Sequence, residues 1–311
     1  MKPALVVVGS LNMDFVAAVD RLPAPGETVL GRDFQMIPGG KGANQACAAG
    51  KLGGTAVDVR MIGRVGYDVF ADHLKASLAA AGVDTSAVHA TRSAPTGVAF
   101  IWIDRSGQNS IVVASGANHA LAAEDVAAMR KVFQGASHAL FQLETPLDTV
   151  AAALALAREE GLVTILDPAP ARALAPELLN NVDILTPNES EAMTLLGRPA
   201  ARLTLCDAPE AARELLGKGP RAVVLKLGDH GCYYCGGHAG GHYPAFAVEA
   251  RDATAAGDTF NAALAVALAE RRPMEDALRF ACAAAAISVT RMGAQSSIPT
   301  RAEVQAFLMR V

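Results

Sequence analysis

The strongest chemical signal in the chain is Arg251-Asp252-Ala253-Thr254-Ala255-Ala256-Gly257-Asp258-Thr259-Phe260-Asn261. A polar strand end runs into small residues and then into a helix expected from about Asp258 to Glu270. Small residues leave the first-turn N–H groups bare, and with the helix dipole they make an anion site. Asp258 sits at the same end, where it could accept a proton from an alcohol. A carboxylate beside an anion hole suits phosphoryl transfer to a hydroxyl. The carboxylate orients and deprotonates the nucleophile, and the hole stabilises charge on the transferred group. Read structurally, Asp258 is also an ordinary helix cap.

Gly39-Gly40-Lys41-Gly42-Ala43-Asn44-Gln45-Ala46 opens a second helix. Glycine lets backbone approach a ligand closely, and a helix start offers free N–H groups. Lys41 and Asn44 add polar groups that a tight turn alone does not need. The lysine is followed by Gly42 rather than Ser or Thr, so this is not a Walker P-loop. No G-x-G-x-x-G follows the first strand, which excludes the dinucleotide fingerprint.

Thr186-Pro187-Asn188-Glu189-Ser190-Glu191 follows a strand and opens a helix, at the kind of strand end where open α/β sheets bind ligands. Asn188 and Glu191 suit a hydrated Mg²⁺, and the same spacing makes a helix cap with a third-position Glu. Lys226-Leu227-Gly228-Asp229-His230-Gly231 could cover nucleotide phosphates or form a plain tight hairpin. Cys232-Tyr233-Tyr234-Cys235, with His238 and His242, invites a zinc reading. That segment reads as a strand entering a hairpin at Gly236-Gly237. Residues three apart on a strand face opposite sides, so the thiols diverge and zinc is set aside. The Gly-x-Ser-x-Gly elbow of serine hydrolases is missing.

Alternating strands and helices must hold these segments at one edge. Leu5-Val8 reads as a short buried strand. Asn44-Leu52 reads as a helix stopped by Gly53-Gly54, Val57-Ile62 as a strand, and Asp68-Ala81 as a helix ending at Gly82. Ala139-Leu143, Val163-Leu166, Val182-Leu185 and Ala222-Leu227 are further strands. Helices at Pro146-Glu160, Glu189-Leu196 and Ala208-Leu216 lie between them, and after residue 257 the chain is nearly all helix. This order implies βαβ units and a mostly parallel sheet, the α/β class. Thr28-Ile37 and Thr96-Ala114 break the alternation. The second is a hairpin, Val98-Ile103 turning at Asp104-Arg105-Ser106-Gly107 into Ser110-Ala114. Both imply a small second sheet attached to the main domain.

Composition narrows the class. At 311 residues, 51% hydrophobic and 19% charged, the chain is long enough to bury a sizeable core, as one large domain or two ordinary ones. A net charge of -4 gives no support for a nucleic-acid partner. No apolar run approaches a membrane helix; the nearest, Phe280 to Val289, is alanine-rich and ends at Arg291. Five scattered cysteines, an odd number, point to a reduced, cytoplasmic protein.

Taken together and in this order, the motifs carry a resemblance. Gly9-Ser10-Leu11-Asn12-Met13-Asp14, Gly39 to Ala46, Ser115-Gly116-Ala117-Asn118, Gln142-Leu143-Glu144-Thr145-Pro146-Leu147, Pro168-Ala169-Pro170-Ala171, Thr186-Pro187-Asn188-Glu189 and Ala255 to Asn261 run nearly end to end. The chain resembles the ribokinase-like (pfkB-type) carbohydrate kinases. The resemblance implies one domain over 1–311, a Rossmann-like three-layer α/β fold with a small β-sheet lid from strands within about 12–38 and 96–114. It implies a lid that often pairs with a second subunit's lid, hence a homodimer.

By position, the resemblance puts Asn12, Asp14, Gly40, Lys41, Asn44 and Glu144 on sugar hydroxyls. Asp258 becomes the base for the 5-hydroxyl of D-ribose, and Ala255, Ala256 and Gly257 the anion hole. Asn188 and Glu191 fall near Mg²⁺ and the phosphates; Lys226, Gly228 and Gly231 border ATP; Cys282 lines the adenine pocket. Asp252, Thr254, Ser288, Arg291, Gly293 and Ser297 match a monovalent-cation (K⁺) site, several through backbone carbonyls. Four positions depart from the family pattern: Ala253, Asp167, Lys226 and Cys282. Two other readings stay open, a kinase for another sugar or nucleoside and a non-catalytic sugar- or nucleotide-binding protein on the same fold.

Overall fold

Every residue of the strand Ala4–Val8 is buried. Strand alternation sends Val6 and Val8 into one core and Leu5 and Val7 into another. A strand buried on both faces needs helices on both sides, and the rest of the chain supplies them. The structure is a computed structural model that describes residues 2–105, 108–199, 203–237 and 239–311.

In chain order the strands are β1 (Ala4–Val8), β2 (Asn12–Val19), β3 (Gly31–Gly39), β4 (Asp58–Gly66), β5 (Val83–Asp84), β6 (Val88–Thr91), β7 (Gly97–Ile103), β8 (Asn109–Ala114), β9 (Ala136–Phe141), β10 (Val163–Leu166), β11 (Ile184–Leu185), β12 (Ala222–Lys226), β13 (Cys232–Gly236) and β14 (Ala239–Tyr243). The helices are α1 (Lys41–Gly53), α2 (Val69–Ala80), α3 (Ala123–Ala128), α4 (Arg130–Phe133), α5 (Leu147–Glu159), α6 (Pro176–Leu179), α7 (Glu189–Leu195), α8 (Ala208–Leu216), α9 (Ala256–Ala269), α10 (Met274–Val289) and α11 (Arg301–Leu308).

The large sheet runs β14-β13-β12-β11-β10-β9-β1-β4-β5, with β6 also paired to β4. From β12 to β5 the pairings are parallel; β13 and β14 close one edge antiparallel. One core lies between the sheet and α1, α2, α9 and α10; the other lies under α3, α5, α7 and α8. This is the expected three-layer α/β arrangement. Strand order reverses between β1 and β9, so the carboxyl ends of these strands flank a crevice. Helix α1 packs directly on α9, and the interface is built from side chains as small as Ala43, Ala46, Ala262 and Ala263, all fully buried.

The second sheet runs β3-β2-β7-β8. It is rooted on the main domain by Phe15 of β2, which stacks on Phe34 and Phe100 and meets Phe70 of α2 edge-on. The expected hairpin is present as β7 and β8, though Ser106 and Gly107 of its turn lie outside the described residues.

Several boundaries move. α1 begins at Lys41 rather than Asn44, because Gly40, at φ 87°, starts the helix directly after β3. α9 begins at Ala256 rather than Asp258. The strand expected over Thr28-Ile37 begins only at Gly31. The short β5 and β6, and the helices α3, α4 and α6, carry too few residues for a periodic signal.

Candidate active site

Residue 255 is an alanine in the left-handed region, φ 57° and ψ 14°, and no side chain caps α9 there. A non-glycine residue in that conformation costs about 1–3 kcal/mol, the kind of strain held at functional segments. The bend brings Ala256 and Gly257 of the first turn of α9 to the wall of a cleft, with the Ala256 N–H turned back onto the carbonyl of Ala253 at 3.2 Å. Asp258 is the third residue of that helix and does not cap it. Its two oxygens instead take Nδ2 of Asn44 and Nε2 of Gln45, each at 3.0 Å. The cap reading of Asp258 therefore fails, and the proton-acceptor reading keeps its geometry.

Two glycines set the floor opposite. A side-chain carbon on Gly42 would stand 2.5 Å from the backbone N of Ser10, and one on Gly40 would stand 2.8 Å from that of Asn12. Only glycine lets α1 start this close to the end of β1. Ser10 Oγ donates to Glu144 at 2.5 Å, and the Lys41 N–H donates to the same carboxylate at 3.0 Å. Asn12 accepts from Asn118 at 2.7 Å, and Asn118 also pairs with both backbone groups of Leu11. Asn118 thus fixes the orientation of Asn12.

Asn12, Asp14, Gly40, Lys41, Asn44, Glu144 and Asp258 are therefore brought together where β2 and the start of α1 meet α9. Oδ1 of Asn44 is buried and finds no partner among the described residues, which leaves an acceptor for a ligand hydroxyl. Charge is concentrated here. Burial, then the neighbouring carboxylates Glu144 and Asp258, push Asp14 up to about 7. Burial pushes Asp258 up to about 6, with Lys41 pulling the other way and Asp167 adding to the rise. Burial works against the charge of Lys41, but Asp258, Asp167, Glu144 and Glu191 outweigh it and hold the ammonium above its ordinary range.

On the other side of Asp258 lies a cleft of about 530 Å³. Lys226, Gly228, Gly231, Gly257 and Cys282, all expected around a nucleotide, line it together with Phe246 and Val248. The two apolar residues come from the extended segment after β14. Sequence reasoning missed it; the apolar run Ala245 to Val248 ahead of Arg251 is the signal that could have found it. Cys232 is fully buried and its sulfur lies 3.9 Å from that of Cys282, whereas Cys235 is half-exposed. The divergence of the two strand thiols holds. His238 lies outside the described residues.

Asn188 caps α7 by accepting from Glu191 N at 2.8 Å, and Glu191 accepts from Asn188 N at 2.7 Å. The cap is real, and it places a buried carboxylate at the end of β11. Burial raises Glu191, and Lys226 and Lys41 oppose the rise. Beyond the anion segment, Asp252 accepts from Thr254 and from Gly293 N at 2.8 Å. Burial opposes ionisation of Asp252, but these donors hold it below its ordinary range. Ser288, Arg291 and Ser297 turn their side chains to Ala285, Glu303 and Ala294. The guanidinium of Arg291 is a cation paired with Glu303, so that position can offer a cation only its backbone carbonyl.

Comparison with known proteins follows the same lines. The family model described as "pfkB family carbohydrate kinase" matches residues 2–301. A ribokinase from Haemophilus influenzae is 42% identical over 308 residues, covering 99% of each chain. A ribokinase structure from Thermotoga maritima superposes with a TM-score of 0.89 at 39% identity, covering 99% of this chain and all of that one. An Arabidopsis thaliana ribokinase complexed with ribose and ATP gives the same TM-score at 34% identity, covering 99% of both chains.

Proposed function

The chain belongs to the pfkB family of carbohydrate kinases, and from that premise we propose that it transfers the γ-phosphoryl group of ATP to the 5-hydroxyl of D-ribose, giving D-ribose 5-phosphate and ADP. One observation carries this reading: the buried carboxylate of Asp258 stands between a pocket of polyol-binding groups and an apolar cleft that ends at Gly257. Several carboxylates and amides suit a sugar, because each can accept from or donate to adjacent hydroxyls.

Asn12, Asp14, Lys41, Asn44 and Glu144 hold the sugar, and Asp258 takes the proton of the reacting hydroxyl as it attacks. The N–H groups of Ala255, Ala256 and Gly257 receive the charge that grows on the transferred group, Ala256 by exchanging its 3.2 Å bond to the carbonyl of Ala253. The small sheet closes over the sugar and excludes water as a competing acceptor.

The residues around Glu191 fit a Mg²⁺ that arrives with the nucleotide. Among the described residues no group of three or more His, Cys, Asp or Glu side chains could hold a metal, so a hydrated ion with few protein ligands is what they suit. Asn188 and Glu191 would hold such an ion through its waters, and it would supply neutralisation of phosphate charge. The Asp252, Thr254 and Gly293 turn, with carbonyls near Ser288, Arg291 and Ser297, would hold a K⁺, which would steady the anion segment without touching the sugar.

Exposed apolar side chains on the small sheet support a homodimer formed through the lid. Phe34, Met36 and Val112 share one face of it, and Ile111 and Val113 are exposed on the other. Replacing Phe34 and Val112 with Glu should convert a sedimenting dimer to monomer; a wild-type chain that sediments as a monomer at micromolar concentration refutes the lid pairing. None of the described helices is long and apolar enough to cross a membrane. The five cysteines are all free, in keeping with a reducing, cytoplasmic setting.

The test of the reaction is ADP release with ATP, Mg²⁺ and K⁺ against D-ribose, 2-deoxyribose, fructose, 2-keto-3-deoxygluconate, adenosine and uridine. D-Ribose should lead by at least tenfold in kcat/KM, and exchange of K⁺ for Na⁺ should lower the rate. A ketose or nucleoside in the lead keeps the mechanism and overturns the substrate. No turnover of any of them, with sugar still bound, favours a binding protein.

A further inference from the structure

Asp167 follows the end of β10 and is 2% exposed. Its Oδ1 accepts from Nζ of Lys226 at 2.9 Å, and its Oδ2 accepts from Nε2 of Gln45 at 3.0 Å. The same Nε2 donates to Oδ1 of Asp258 at 3.0 Å. One amide therefore spends its two hydrogens on two carboxylates. It cannot turn over, because Nε2 of Gln142 donates to its oxygen at 2.6 Å. At the other end, Lys226 lines the nucleotide cleft, and its Nζ lies 3.4 Å from where a side-chain carbon on Gly257 would stand. An unbroken line of contacts thus runs from the anion segment, through Lys226, Asp167 and Gln45, to the base.

We propose that Asp167 is a positioning residue that sets the orientation and basicity of Asp258 through Gln45, and that Lys226 makes this setting respond to the nucleotide. With the cleft empty, the ammonium of Lys226 compensates the charge of Asp167. A triphosphate seated against the anion segment draws on the same ammonium. The charge of Asp167 then bears more fully on Asp258, and the base strengthens when a phosphoryl donor is present. The inference rests on the kinase reading above.

Other charges also face Asp258, Lys41 on α1 and Asp14 on β2, while Glu144 after β9 and Glu191 on α7 act on Lys41. None of these spans both the cleft and the shared amide. Lys41 is the strongest opposing charge, but it sits on the sugar side.

The test compares wild type, D167N, K226M and the double variant by the pH dependence of kcat and of kcat/KM for ATP. In wild type, the acid limb of kcat should lie above that of kcat/KM for ATP, since only the former reports the enzyme with nucleotide bound. D167N should lower the acid limb of kcat by about one unit, the scale of a neighbouring charge, and bring the two limbs together. K226M should raise the limb of kcat/KM for ATP and increase KM for ATP more than tenfold, and its effect on the limb should vanish in the D167N background. A merely structural Asp167 would lower kcat equally at every pH.

Carboxyl-carbon NMR titration of Asp258, with and without a non-hydrolysable ATP analogue, reads the same coupling without turnover. It separates failure of this inference from failure of the kinase reading. An Asp258 titration that D167N leaves in place, or that the analogue does not move in wild type, overturns the proposal. Should D167N not fold, D167S carries the same readout.

Discussion

Replacing Asp258 with Asn should cut turnover by at least a hundredfold while the protein still folds and still binds the sugar. General acid–base contributions run about 10²–10⁴-fold, so a loss under about tenfold would remove Asp258 from the role of base. The fold should survive for a specific reason. Asn places an N–H₂ group where one carboxylate oxygen accepted a hydrogen bond. Asn44, whose buried Oδ1 finds no partner, can turn its amide over and accept from the new donor. Burial also makes the ionised carboxylate costly here, so removing its charge does not weaken the packing. The wild-type enzyme carries a pH signature of the same group. With Asp258 lifted to about 6, kcat/KM should fall about tenfold per unit below that pH. Residual D258N activity should lack this limb; a limb that persists near 6 would assign it to another group.

The second large effect is at Asp14, where one substitution should move binding and stability in opposite directions. Asp14→Asn should raise KM for the sugar about 10- to 100-fold. Hydrogen bonds to a charged group are worth about 1.5–3 kcal/mol, and each 1.4 kcal/mol is a factor of ten. The same substitution should raise the melting temperature at pH 8. The sign follows from linkage. Burial, Glu144 and then Asp258 hold the folded-state value near 7, against an ordinary 3.8. Stability that the protonated group retains below pH 4 is therefore lost as pH rises through about 7. Asn never ionises, so its advantage should be largest above pH 7 and gone below pH 4. Thermal melts of both forms at pH 4 and pH 8 measure this. A variant that melts lower than wild type at pH 8 would mean that Asp14 is not destabilised by its surroundings.

Much of this site was legible in the linear order of the residues. The β1 run Leu5-Val8 announces a strand buried on both faces, and the glycines before α1 and the small residues at the start of α9 announce helix starts that approach something closely. Function concentrates at chain turns, where residue types are constrained by backbone geometry, and such constraints are local. What stayed hidden is non-local. Asp167 and Lys226 each stand out as a departure from the family pattern, yet nothing along the chain says that they meet, 59 residues apart. Gln45 was read as part of a motif, but its double donation requires β10 and α9 to be seen together. Phe246 and Val248 were missed because a segment with neither helical nor strand regularity still forms a wall when it crosses a cleft. Conversely, Cys232 and Cys235 were correctly separated, since the two-residue period of a strand is enough to part them.

The alanine-built seam between α1 and α9 has a consequence for which sugars fit. Alanine and glycine have no rotamers to exchange, so a seam made of them behaves as a fixed gauge rather than a spring. Two of the groups that grip the sugar, Lys41 and Asn44, ride on α1, and the proton acceptor rides on α9. The span between these two groups and the acceptor is set by that small-residue seam together with the 3.0 Å hydrogen bond from Asn44 to Asp258. A sugar one carbon longer between its anchored hydroxyls and its reacting oxygen cannot be met by widening that span. It has to displace the second sheet, which carries Asn12 and Asp14 and is rooted through Phe15. Chain length of the acceptor is thus measured between α1 and α9, and the remaining hydroxyls against β2.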